Sequence, residues 1–183
     1  MRVLTICFFI LFVNYSSVLA QEKQKLSRKE KKEQRKQQEL AQKKAILELI
    51  HSKMWVIEAH TVFDRYSQSY QLNPSINFVG VKENEGALQL GFNGLIGWNG
   101  VGGVTIDGTV TKYEVKEGKN NTAPSVTLRF QGRGIGSAMI NVTVNTSGQA
   151  TARVNGDFGD RITFSGTIKS LEESIVYKGQ SLF

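Results

Sequence analysis

The chain has few of the residues that build disulfide frameworks and metal centres. Its 183 residues include one cysteine, two histidines and two prolines. A single cysteine excludes both a disulfide framework and a cysteine-based zinc site, and two histidines are too few for a histidine-rich metal centre. The scarcity of proline against 18 glycines favours tight turns over a proline-rich linker. With 40% hydrophobic and 21% charged residues, the composition is that of one globular domain with a short additional segment.

The first twenty residues follow the three-part pattern of a secretory signal. Arg2 supplies a positive start, an apolar run extends from Val3 to Val13, and Val18-Leu19-Ala20 resembles a signal-peptidase site. The apolar run is shorter than the ~20 residues that a helix needs to cross a bilayer. We therefore predict a signal peptide over residues 1–20, cleaved after Ala20, and an exported protein of the periplasm or cell envelope. An uncleaved membrane anchor is the alternative.

The excess positive charge lies in one segment. The formal net charge is +7, and residues 21–44 carry +6 of it, from ten Lys or Arg and four Glu. Residues 45–183 carry twelve basic and twelve acidic side chains. A domain without a basic face of its own is not expected to bind nucleic acid.

The composition of residues 21–39 predicts a charged arm that is helical or disordered. The segment has no glycine or proline and is rich in good helix formers. With Leu26 as its single aliphatic residue before Leu40, it has no apolar face to bury. We predict peripheral electrostatic contact with an anionic membrane surface, the alternative being a solvated spacer. The side chains predicted to make this contact are Lys29, Lys31, Lys32, Arg35 and Lys36.

From Leu40 onward the apolar residues recur with helical spacing. Leu40, Leu47 and Met54 recur at intervals of seven, and Ile46 and Ile50 at an interval of four. This spacing predicts an apolar stripe that docks on the rest of the molecule. We accordingly expect a single β domain over residues 40–183 that begins with a docking helix.

After Met54 the hydrophobic period changes from helical to two, as in half-buried antiparallel strands. Turn-forming residues at 83–86, 117–121, 146–148 and 155–160 separate the runs. We predict a mainly β fold, an antiparallel meander of seven to eight strands that forms a small barrel or a two-sheet sandwich. The alternating runs include Ile57, Leu90, Ile106, Leu128, Val142, Ala152 and Phe164.

Two details of the strand pattern predict local strand geometry, and the first of them favours the barrel. Gly108 and Gly166 lie in the middle of predicted strands, where glycine allows the sharp bending that a barrel needs. The apolar parity of the long run 104–117 switches near Thr111-Lys112, which predicts a β-bulge there.

A glycine-rich stretch from Phe92 to Gly103 holds the weak candidates for ligand binding, Phe92, Trp98 and Asn99. A tryptophan on such a loop contacts a ligand or, alternatively, closes the end of the core. The glycines at 100–103 precede a strand rather than a helix, so we expect no dinucleotide cofactor.

One polar trio has the spacing of an acid–base or metal site. Glu58 and His60 share a strand face at i, i+2, and Asp64 follows. Since no further ligand or nucleophile accompanies them, we predict a solvated outer face. We predict no catalytic residue, no metal ligand and no cofactor.

Seven segments, taken in order, carry a resemblance to a known family. They are Lys25–Lys36, Met54–Ala59, Asn73–Val79, Gly91–Gly94, Gly100–Thr109, Arg161–Thr167 and Val176–Ser181. In their order and spacing they resemble the exported bacterial domain-of-unknown-function family 4251 of Bacteroides-type organisms. The resemblance implies export and a mostly β fold, and it supplies no catalytic residues.

These observations predict a non-enzymatic cell-envelope module that binds a small apolar or amphipathic ligand or a protein partner. The alternative is a structural or interaction protein with a filled core and an electrostatic attachment arm, and a hydrolase is a third hypothesis. An interior void above ~300 Å³ lined by apolar residues would favour the ligand-binding hypothesis over the filled core.

Overall fold

The computed structural model describes residues 27–91, 103–118, 122–132, 136–156 and 161–178. The chain divides into two units, one up to Gln38 and one from Glu39 onward. Within the described residues there are one helix and nine strands. They are α1 (Arg28–Ser52), β1 (Met54–Phe63), β2 (Ser69–Gln71), β3 (Phe78–Lys82), β4 (Glu85–Leu90), β5 (Val104–Lys116), β6 (Ser125–Gly132), β7 (Gly136–Val144), β8 (Gln149–Gly156) and β9 (Ile162–Ser170).

Helix α1 begins with a capping box and ends one residue before the first strand. The amide of Glu30 donates to Oγ of Ser27 over 3.3 Å, and the amide of Ser27 donates to Oε2 of Glu30 over 2.7 Å. The Ser-x-x-Glu pattern that makes this cap is readable in the sequence. At the other end Lys53 adopts a φ of 54°, a left-handed conformation that terminates helices.

The strands form a closed antiparallel barrel rather than a sandwich. Eight of them are hydrogen-bonded in the order β1-β3-β4-β5-β6-β7-β8-β9, and β9 pairs again with β1. Strand β2 is additional and pairs with the last residues of β1. The predicted mainly β meander is confirmed, and the seven alternating runs correspond to β1 and β4 to β9. Strands β2 and β3 were not predicted.

The barrel interior is filled by the apolar side chains that alternate along the strands. Trp55, Ile57 and Phe164 are fully buried, and Leu128 and Phe130 are 1% and 2% exposed. These side chains belong to one hydrophobic cluster that receives residues from β1 and from β3 through β9. The core of the protein is therefore the inside of the barrel.

Close strand packing at two glycines accompanies the closure. A Cβ atom on Gly108 would overlap the carbonyl oxygen of Gln131, and one on Gly166 would overlap that of Glu58. The strand register shifts between Val110 and Lys112, which confirms the predicted bulge.

The C-terminal turns of α1 pack against one end of the barrel. Ile50 is fully buried, and Ile46 and Leu49 pack against the core cluster while half-buried. Leu40 is 59% exposed, so its inclusion in the predicted docking stripe is wrong. At ~1.5 Å rise per residue, Leu40 lies about 15 Å along the helix from Ile50, beyond the packed part.

Residues 171–178, which we call the C-terminal strap, cover part of the outer face of the barrel. The amide of Leu171 donates to the carbonyl of Met54 over 3.3 Å, and the amide of Tyr177 donates to that of Ser75 over 2.7 Å. Nε2 of Gln89 donates to the carbonyl of Tyr177 over 2.9 Å. The strap thus crosses β1 and β4, and Gln89 is completely buried on what would otherwise be a solvated face.

Candidate functional site

The candidate site is an apolar cleft of about 450 Å³ at the end of the barrel away from α1. Its apolar walls are Val62 from the end of β1, Leu72 after β2, Leu90 from the end of β4 and Ile162 from the start of β9. Asp64, Tyr70, Gln71 and Asn73 also contribute to its lining. The volume is within the ~300–1,000 Å³ of small-molecule sites, and apolar walls with few polar groups are typical of them.

One wall is placed by the turn that follows β1. Oδ1 of Asp64 accepts the amides of Tyr66 and Gln68 over 2.8 and 2.9 Å, an Asx turn that reverses the chain. Strand β2 then pairs with the end of β1. The amide of Leu72 donates to the carbonyl of His60 over 2.8 Å and directs Leu72 along the cleft.

A buried asparagine joins this wall to the opposite one. Nδ2 of Asn77 donates to the carbonyl of Asn73 over 2.9 Å, and Oδ1 of Asn77 accepts the amide of Gly91 over 2.8 Å. The carbonyl of Asn77 accepts the amide of Ala59 over 2.9 Å. Asn77 is 1% exposed, so a buried side-chain amide holds the segments carrying Asn73 and Gly91 together. Sequence reasoning did not single out Asn77; an asparagine directly before an apolar run was the available signal.

The polar trio Glu58, His60 and Asp64 is not brought together as a site. Asp64 forms the turn described above, and Nε2 of exposed His60 lies 3.2 Å from Oγ1 of Thr167. Glu58 is 3% exposed, so the prediction of a solvated outer face is wrong for this residue. The reason is the C-terminal strap, which covers it. Among the described residues no group of three His, Cys, Asp or Glu side chains could hold a metal ion.

Glu58 instead anchors the strap. Its Oε2 is 2.8 Å from Nζ of Lys169, and its Oε1 accepts the amide of Ile175 over 3.0 Å and the hydroxyl of Ser174 over 3.2 Å. Burial by itself raises the pKa of the Glu58 carboxyl. The hydrogen bond and charge of Lys169, with the donors of Ile175 and Ser174, outweigh burial and hold the pKa below its ordinary value.

The predicted ligand-binding residues Phe92, Trp98 and Asn99 lie outside the described residues, while Gly91 lines the cleft. In the parts of the chain that the structure describes, no helix is both long and apolar enough to cross a membrane. The five predicted attachment residues are all exposed on α1: Lys29, Lys31, Lys32, Arg35 and Lys36.

The fold and the cleft define a small closed antiparallel barrel with a helix at one end and an apolar cleft at the other. The family model Domain of unknown function (DUF4251) matches residues 34–168, so the chain belongs to this family and the predicted resemblance is confirmed. A crystal structure of a DUF4251 family protein from Bacteroides eggerthii is similar, with 31% sequence identity and a TM-score of 0.60. The match covers 73% of this chain and 91% of that one. A comparison with curated proteins finds no match.

Proposed function

We propose that the protein is a non-catalytic binding module of the cell envelope whose cleft takes a small ligand with an apolar part. The observation that carries the proposal is the apolar cleft of about 450 Å³ between Leu72, Leu90 and Ile162. Burying an apolar group there would gain roughly 25 cal/mol for each Å² removed from water. The turn of Asp64 and the contacts of Asn77 support a cleft that is formed before the ligand arrives.

The filled interior determines which kind of binding is proposed. Since Trp55, Ile57 and Phe164 are fully buried in the core, the ligand would lie at the end of the barrel and not within it. The same filled core favours the second candidate function, a structural or interaction protein without a ligand.

Fluorescence of a neutral apolar probe, N-phenyl-1-naphthylamine, separates the two functions. Half-buried Leu72 lines the cleft, whereas Leu40 is exposed on α1. We expect the wild type to bind the probe, Leu72→Trp to lose at least about tenfold in affinity because the indole fills the cleft, and the control Leu40→Trp to bind normally. Absence of binding, or equal binding by both variants, would favour the structural function.

The charged arm supports a further part of the proposal, export followed by loose attachment to an anionic surface. The five basic residues from Lys29 to Lys36 are exposed on one stretch of α1, and their charges are therefore accessible. Export would remove residues 1–20, and N-terminal sequencing of the protein from its host should find Gln21 first. An intact Met1 would contradict cleavage.

A further inference from the structure

A second cleft, of about 540 Å³, lies at the same end of the barrel as the apolar cleft. We call it the arginine cleft, because Arg65, Arg153 and Arg161 contribute to its lining. Among the lining residues that the structure describes, Asp64 is the one acid, and its Oδ1 accepts the amides of Tyr66 and Gln68 in its own turn. The described lining residues thus carry three positive charges against one negative charge.

The arginine cleft and the apolar cleft lie on opposite faces of the same strand ends. Val62 and Ile162 line the apolar cleft, while the next residues in the chain, Phe63 and Thr163, line the arginine cleft. Successive residues of a strand point to opposite faces, and Asp64 at the rim borders both clefts. A molecule lying across this rim would touch the two linings at once.

The strand register places an arginine directly beside the rim. Phe63 of β1 and Arg153 of β8 are both paired with Thr163 of β9, so the three residues form one row across the outer face. Arg161 precedes the start of β9 in the same cleft. Arg65 is held within its turn, where its guanidinium lies 4.6 Å from the ring centre of Tyr66.

Arg153 and Arg161 are the cations available to a ligand. Both are exposed, and over the described ranges neither guanidinium has a hydrogen-bond or ion-pair partner. A guanidinium presents a planar set of donors that matches a carboxylate or a phosphate in a two-pronged geometry. Two such groups around one cleft provide a site for an anionic head.

We propose that the ligand is a single-chain amphiphile with an anionic head, a carboxylate or a phosphate monoester. Its apolar chain occupies the apolar cleft, it crosses the rim at Asp64, and its head binds Arg153 and Arg161. This inference rests on the proposed function, since it assigns the apolar chain to the same cleft. It adds the chemical class of the ligand and two residues that select it.

Displacement of N-phenyl-1-naphthylamine by decanoate, by monodecyl phosphate and by neutral 1-decanol tests the inference. We expect the wild type to bind at least one of the two anions more tightly than decanol, and the tighter anion identifies the head. The double variant Arg153→Gln/Arg161→Gln should bind the tighter anion about tenfold or more weakly than the wild type does. Its affinity for decanol should stay unchanged. Arg129→Gln, an exposed arginine on β6, is the matched control and should behave as wild type.

Failure of this inference differs from failure of the proposed function. If decanol and both anions bind equally, or if the double variant keeps full affinity for the anions, the anionic-head assignment is overturned while apolar binding stands. If neither the probe nor any of the three amphiphiles binds, the proposed function fails and the inference fails with it.

Discussion

The indole nitrogen Nε1 of Trp55 donates a hydrogen bond of 2.8 Å to the hydroxyl oxygen of Tyr113. That hydroxyl donates in turn to the carbonyl oxygen of Ile50 over 2.6 Å. The chain of contacts joins the last turn of α1 to β1 and β5. Burial raises the pKa of Tyr113, although the hydrogen bond from Trp55 acts in the opposite direction. The carbonyl of Ile50, at the end of the helix, thus accepts from the Tyr113 hydroxyl as well as from the amide of Lys53 over 3.3 Å.

Tyr113→Phe should destabilise the protein by about 1–3 kcal/mol, because it leaves the buried indole N–H of Trp55 without its acceptor. Urea unfolding followed by fluorescence measures the change. Tyr70→Phe is the control: the Tyr70 hydroxyl donates to Oε1 of Gln68 at the surface, where Tyr70 is 52% exposed. If Tyr113→Phe loses no more unfolding free energy than the control, the hydrogen bonds of the Tyr113 hydroxyl do not have the proposed stabilising role.

Ile50→Ala should cost about 2–5 kcal/mol of unfolding free energy, as expected for a buried aliphatic side chain that leaves a cavity. Leu40→Ala, on the same helix but 59% exposed, should change stability by no more than about 0.5 kcal/mol. Thermal and urea unfolding measure both. Equal effects would mean that the end of α1 does not pack on the barrel in solution.

Gly108→Ala should destabilise the barrel by about 1–3 kcal/mol or more, because the new methyl group overlaps the backbone of the neighbouring strand. Gly80→Ala is the matched control, since a Cβ there would lie 3.4 Å from Cγ2 of Val56, an ordinary contact distance. Melting temperatures compare the two. If Gly108→Ala melts at or above the temperature of Gly80→Ala, the strands do not approach as closely as described.

The buried carboxylate of Glu58 should make stability depend on acid pH. Its pKa is lowered in the folded state from an ordinary value of 4.5. Its stabilising contribution is therefore complete above that value and is lost as the pH falls through the lower folded pKa. Glu58→Gln should flatten this part of the pH profile of the unfolding free energy and increase hydrogen exchange at Ile175.

Exposed Glu114 provides the control for the pH experiment. It pairs with Lys112 over 3.0 Å with its side chain 55% exposed, so Glu114→Gln should leave the acid limb of the profile nearly as in wild type. If both variants show the same pH profile of the unfolding free energy, the acid dependence does not come from Glu58. The same conclusion follows if the amide of Ile175 is as well protected from hydrogen exchange in Glu58→Gln as in the wild type.

Binding of the arm to an anionic surface should be electrostatic. We expect the protein to sediment with anionic vesicles at low salt and to be released near 0.5 M salt, where the screening length falls to about 4 Å. Replacing Lys29, Lys31, Lys32, Arg35 and Lys36 by glutamine should abolish sedimentation. Binding that persists at high salt or in this variant would assign the contact to another part of the protein.

Much of the barrel wall was predictable because most strands bury one face only. A half-buried strand leaves an alternating pattern, as in Val126, Leu128 and Phe130 of β6, which are buried while Arg129 is exposed. The bulge near Lys112 was also predictable, since one inserted residue changes the parity of everything after it. Strand β3 was missed because Phe78, Val79, Gly80 and Val81 are all buried and show no alternation.

The sequence by itself determined seven of the strand-forming segments, the charge of the arm and the family, since each depends on neighbours a few residues apart or on motif order. Tertiary structure alone decided closure, because the pairing of Trp55 with Ser170 joins the two ends of the meander. It also decided the burial of Glu58 by Ile175, 117 positions away. The apolar cleft was likewise decided by tertiary structure. Its walls come from four separate segments, those of Val62, Leu72, Leu90 and Ile162. A local sequence pattern cannot predict which distant side chains a closed sheet brings together.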